Sequence, residues 1–132
     1  MTIEEAARKY ERQLEKLGFK TETESADGAC DISFVRGEEI FYLEVLEEDV
    51  QMARLSLSYE LDDEQKRDRT RLIDLAHEIS SSSEGVLTIV DEENDVEFRH
   101  DAFTGENLDL GQTLPRILDA LEEAQQDFFS AL

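Results

Sequence analysis

Between Asp31 and Leu61 the chain alternates apolar and polar residues with a period of two. Cys30, Ile32 and Phe34 fall on one side, with Asp31 and Ser33 between them. Leu55, Leu57, Tyr59 and Leu61 repeat the pattern, with Ser56, Ser58 and Glu60 opposite. This period places one set of side chains on a core and the other in water, and predicts consecutive strands of an antiparallel sheet. Arg36-Gly37-Glu38 is short and contains Gly, as a hairpin connection should. The strand from Glu39 to Leu46 breaks the rule. Phe41, Leu43 and Val45 form its inner face, yet Ile40, Tyr42 and Leu46 lie opposite, interrupted only by Glu44. A strand apolar on both sides is covered on both sides. The cover is a helix of this chain, a second copy, or a partner.

Helical spacing marks three other segments. Thr2 and Glu5 stand in capping-box spacing, and Ile3, Ala6, Ala7, Tyr10, Leu14 and Leu17 recur along one face before Gly18, which suits a left-handed cap. Phe19 to Glu24 reads as an opening strand, Ala26-Asp27-Gly28 as a turn, and Glu47-Glu48-Asp49 as an acidic loop. Asp62 and Gln65 form a second capping pair ahead of a stripe made by Leu72, Ile73, Leu75, Ala76 and Ile79. Ser80 to Glu84 reads as a polar loop closed by Gly85, and Val86 to Val90 as a strand. Glu92 to Asp95 turns the chain into a strand carrying Val96, Phe98 and His100, and Asp101 to Gly111 is a loop. Thr113 caps the last helix, with Pro115 in its first turn, where a missing N–H does little harm. Leu114, Ile117, Leu118, Leu121, Ala124 and Phe128 form that helix's stripe, widened by Ala120, Phe129 and Leu132. So broad a stripe exceeds what one sheet contact needs, and part of it faces a second subunit or a partner. The expected class is α+β: a single antiparallel sheet of five to six strands flanked by three helices, in the order α-β-β-β-β-α-β-β-α. At 132 residues the chain is expected to form one domain, 1–132.

Charge changes the picture most. Asp and Glu number 34 against 13 Lys and Arg, a formal net of −21. Nucleic acid is excluded as a partner, because phosphate binding needs clustered Lys and Arg. Anionic membranes repel the same surface, and no apolar run approaches the roughly 18 residues of a membrane span. The N-terminal Met-Thr-Ile-Glu-Glu has no basic and apolar signal pattern, so a cytoplasmic protein is expected. The acidity fits solubility or high salt, recruitment of a basic or poorly folded protein, or mimicry of DNA.

The search for chemistry ends mostly in exclusions. Glu47-Glu48-Asp49 lacks the spread of ligands and the Gly of a calcium loop, and a calcium-loop alignment from Asp91 puts Val96 at the obligatory Gly and Ala102 at the bidentate Glu. His77-Glu78 begins like a zinc-protease helix, but position 81 is Ser. Ser80 to Ser83 have no glycine-flanked elbow. Lys66 to Arg71 is the one basic cluster, read as side chains that pair with nearby carboxylates. Lone Cys30 reads as a buried thiol. No cofactor, no metal and no enzymatic activity are expected.

The whole chain resembles the type III secretion chaperone-like fold, which includes the Tir-chaperone-type secretion chaperones and the YbjN-like bacterial regulators. The resemblance rests on the opening helix ending at Leu17-Gly18-Phe19, on Gly28 to Ile32, on Leu55-Ser56-Leu57 leading to Leu72-Ile73-Asp74-Leu75-Ala76, on Val96 to Arg99, and on the final helix ending in Phe128 and Phe129. It implies a homodimer that holds an extended segment of another protein on apolar sheet and helix surface. Val35, Ile40, Tyr42, Leu46, Val86, Val90 and Phe129 are the expected partner or dimer surface. The alternative is a small enzyme or ligand-binding domain with a carboxylate-lined pocket.

Overall fold

The alternating stretch forms the middle of a six-stranded antiparallel sheet, ordered β1-β2-β3-β4-β6-β5. The structure, a computed structural model, describes residues 1–132, Glu106 in its backbone only. The elements are α1 (Ile3–Lys16), β1 (Thr21–Ala26), β2 (Ala29–Arg36), β3 (Glu39–Leu46), β4 (Asp49–Tyr59), α2 (Arg69–Ser82), β5 (Leu87–Val90), β6 (Val96–Phe103) and α3 (Leu114–Ala131). The class is α+β, in the expected order of elements. Among the described residues no helix is long and apolar enough to cross a membrane. The chain groups into two compact units, Met1–Leu55 with Asp101–Pro115, and Ser56–His100 with Arg116–Leu132.

In the first unit Thr2 caps α1: its hydroxyl accepts the Glu5 N–H at 3.2 Å and donates to the Glu5 carboxylate. Ala6, Ala7, Tyr10 and Leu14 are buried where α1 lies on the strands. Leu17, expected on that stripe, is exposed, because the helix has already ended at Lys16 and Gly18 turns the chain at φ +94°. Cys30, Ile32 and Phe34 of β2 and Phe41, Leu43 and Val45 of β3 supply the core, with Phe19, Phe34 and Phe41 in ring contact at 5.1 and 5.6 Å. The span expected as a loop after Asp101 departs from expectation. β6 continues to Phe103, and Leu108 and Leu110 are buried. Gln13 of α1 holds them. Its amide N–H donates to the Leu108 carbonyl, and its Oε1 accepts the Leu110 N–H at 2.9 Å. The buried Tyr10 hydroxyl reaches Thr104 at 2.8 Å, and Thr104 N–H and hydroxyl both donate to the Gln51 carbonyl. Burial raises the Tyr10 pKa.

The second unit is built on an aromatic cluster. Phe98 meets Phe128 edge-on at 5.7 Å, and Tyr59 bridges Phe98 and Phe129 at 6.0 and 5.3 Å. Leu72, Leu75, Ala76 and Ile79 of α2 and Leu118, Leu121 and Ala124 of α3 are buried as their spacing predicts. The Asp62–Gln65 box closes reciprocally at 2.7 and 3.0 Å, but only a single 3₁₀ turn, Gln65–Arg67, follows it. The chain then restarts at Asp68, whose carboxylate accepts the Arg71 N–H and caps α2. Ser80 to Ser82 form the last turn of α2 instead of a loop. The Ser80 hydroxyl accepts the Thr88 N–H at 2.8 Å and faces the Thr88 carbonyl, doing for β5 what a neighbouring strand would do. Three side chains of the basic cluster bond within the fold. Lys66 pairs with Asp95 at 3.1 Å, Arg69 donates to the Asp91 carbonyl and to Asn94, and Arg71 donates to the Ala131 carbonyl.

Candidate protein-binding face

The register of β1, β2 and β3 sets out the face turned away from α1. Because Cys30, Ile32 and Phe34 point to the core, Asp31, Ser33 and Val35 point outward, and their cross-strand partners share that side. Val35 stands opposite Ile40. The next row is Glu22, Ser33 and Tyr42, then Glu24, Asp31 and Glu44, and the last is Ala26, Ala29 and Leu46. The face therefore runs from the apolar Val35–Ile40 end to an acidic row and closes on the apolar row of Ala26, Ala29 and Leu46.

Exposure picks out the apolar end. Val35 is 55% exposed, Ile40 51% and Tyr42 40%, values far above those of the core residues on the opposite face of the same strands. Leu46 is half-buried. Further across the unit, Arg54 of β4 ties the face together. Its Nε donates to Asp101 of β6 at 2.8 Å and its Nη1 lies 3.7 Å from Glu44. By alternation Phe103 shares the side of Asp101, and it is 76% exposed. Sequence reasoning missed Phe103 because it placed the residue in a loop. An alternating reading carried past His100 would have found it.

Three of the proposed surface residues lie elsewhere. Val86 is buried, and Val90, half-buried, shares its side of the chain. The register explains this: Phe98 and Val96 point into the core, so their partners Thr88 and Val90 must do so too. Leu87 and Ile89, which look more like core residues, are turned outward opposite Arg99 and Glu97, and Leu87 is 51% exposed. The Thr88 hydroxyl oxygen is buried without a partner among the described residues. Phe129 is half-buried against Tyr59 and Phe128, so it belongs to the aromatic cluster.

The places where ligand or metal chemistry would sit are shallow. A pocket of about 380 Å³ is lined by Ser82, Ser83, Glu84, Ala120, Glu123 and Asp127. Its three carboxylate residues, Glu84, Glu123 and Asp127, are all exposed. Among the described residues no group of three His, Cys, Asp or Glu side chains is placed to hold a metal ion. The His100 Nδ1–H donates to the Gly85 carbonyl at 2.7 Å and closes the turn before β5.

No family model matches the chain, and no curated protein matches it. Among solved structures it is similar to an uncharacterized protein from Methanothermobacter thermautotrophicus. That likeness has a TM-score of 0.77 at 13% identity and covers 96% of this chain and 95% of that one. At that identity the likeness shows a shared fold.

Proposed function

We propose that this chain is a non-catalytic protein-binding module, acting in the cytoplasm, that holds a segment of another protein on the outer face of β2 and β3. One observation carries the reading: Val35, Ile40 and Tyr42 are apolar, adjacent across two strands, and uncovered within their unit. A contiguous apolar patch on the surface of a chain of net charge −21 is the usual mark of an interaction site. Burying it against a partner's anchors yields roughly 25 cal/mol per Å² of apolar area. The surrounding carboxylates keep the loaded module soluble. The chaperone-like or regulatory role implied by the resemblance to the type III secretion chaperone-like fold is part of this proposal.

The test is capture from native cytoplasm, read by mass spectrometry, with wild type and Tyr42→Asp side by side. The expected result is a protein enriched by wild type and lost with the variant, while circular dichroism of the two is the same. Equal enrichment by both would remove the outer face from the account. Global unfolding of Tyr42→Asp would make Tyr42 a core residue.

A further inference from the structure

Resting on that reading, we infer that the occupant of the β2–β3 outer face is a cationic amphipathic helix of another protein. The first argument is the layout of the face. Val35 and Ile40 form one end, Tyr42 lies one row further on, and Glu24, Asp31 and Glu44 form the row after that. Strand residues rise about 3.3 Å each, so the rows lie roughly 6.6 and 13 Å from the apolar end. A helix laid along the strands rises about 1.5 Å per residue. Apolar residues at i and i+4 then meet the Val35–Ile40 pair and Tyr42, and Lys or Arg at i+7 and i+8 meets the carboxylates. A helix is the element that covers one face of a sheet whose other face already carries α1.

The second argument is charge. Glu22, Glu24 and Asp31 are exposed, with no ion-pair partner among the described residues. Arg54 sits between Glu44 and Asp101, which leaves that trio with one net negative charge. An acidic helix is repelled here, and a neutral one leaves Glu24 and Asp31 without a counter-charge.

The third argument disposes of a second copy. A two-fold axis along the strands sets carboxylate row on carboxylate row. An axis through the Tyr42 row lays carboxylates on Val35 and Ile40, which strands charge against apolar surface. An axis through the Val35–Ile40 row leaves a few side chains from each copy, well below the roughly 800 Å² per partner of a stable interface. In every arrangement two chains of net charge −21 must also approach. The homodimer expected from the resemblance is therefore not built on this face.

The test uses two synthetic helical peptides with Leu at the apolar positions, one carrying Lys and the other Glu at i+7 and i+8. Affinity is read by fluorescence anisotropy against the full chain, with sedimentation of the chain alone. Three variants separate the readings: Ile40→Ser, the pair Glu24→Lys with Asp31→Lys, and the pair Asp74→Lys with Glu78→Lys on exposed positions of α2. The two pairs carry the same net charge. The Lys peptide should bind wild type at least about tenfold more tightly than the Glu peptide. That preference should fall about tenfold with Glu24→Lys/Asp31→Lys and stay within about twofold with Asp74→Lys/Glu78→Lys. Ile40→Ser should weaken the Lys peptide. Equal losses from both charge pairs would mean attraction to net charge alone and would overturn the inference. Equal binding of both peptides, or a wild-type dimer dispersed by Ile40→Ser, would overturn it while leaving a binding face in place. Indifference of every ligand to Ile40→Ser would remove the binding face itself.

Discussion

Ile40 and Phe41 are neighbours on one strand, yet they should respond to truncation very differently. Ile40 points outward and is 51% exposed, whereas Phe41 points inward, is 0% exposed, and stacks on Phe34 at 5.6 Å. Fully burying an Ile side chain is worth about 1.5–3 kcal/mol, so Ile40, with half its surface still in water, contributes about 1 kcal/mol. Phe41→Ala removes a buried ring and leaves a cavity, at about 3–5 kcal/mol. For a chain of this size 1 kcal/mol corresponds to about 4 °C in Tm. Ile40→Ser should therefore lower Tm by about 4 °C or less, and Phe41→Ala by about 12–20 °C. Calorimetry, with chemical denaturation as a second measure, reads both. If Ile40→Ser destabilises as strongly as Phe41→Ala, Ile40 is covered by something in the folded chain, and the reasoning from exposure to a binding face fails.

Two further predictions concern what holds each unit together. Gln13→Ala removes both hydrogen bonds to the 108–110 segment and leaves the Leu108 carbonyl and Leu110 N–H without that partner. It should destabilise by about 1–3 kcal/mol and speed hydrogen exchange at the Leu110 amide; unchanged exchange there would show that the clamp is dispensable. In the second unit the Leu61 N–H, and then the Lys66 ammonium, hold the Asp95 carboxyl below its ordinary value of 3.8. A depressed carboxylate stabilises the fold above its unfolded pKa and loses that contribution as pH falls through the folded one. The gap in Tm between wild type and Asp95→Asn should be steady above about pH 5 and narrow below pH 3.8. A gap that widens in acid would contradict the assignment.

The fold was legible where the sequence period was long and unambiguous. The α3 stripe from Leu114 to Phe128 and the inner faces of β2 and β3 are buried as their spacing requires. The errors share a cause. Leu87-Thr88-Ile89-Val90 is a short run whose own composition points Leu87 and Ile89 inward, but orientation is set by the partner strand, where Phe98 and Val96 claim the core. Leu108 and Leu110 were unreadable because neither helical nor strand period marks them; their backbone is bonded by Gln13, distant in sequence. At the candidate site Ile40 and Tyr42 were visible from the apolar excess of β3, and Val35 from its place opposite the core face of β2. Their neighbours in the acidic row, Glu24 and Asp31, were not, because they join that site only through the β1–β2–β3 register.

The most direct measurement places a photoreactive phenylalanine analogue at Tyr42, and separately at Glu78 on α2, in the cell that makes the protein. The outer-face account predicts one discrete adduct with another protein from position 42 and none from position 78. No adduct from 42, or the same adducts from both positions, would contradict it.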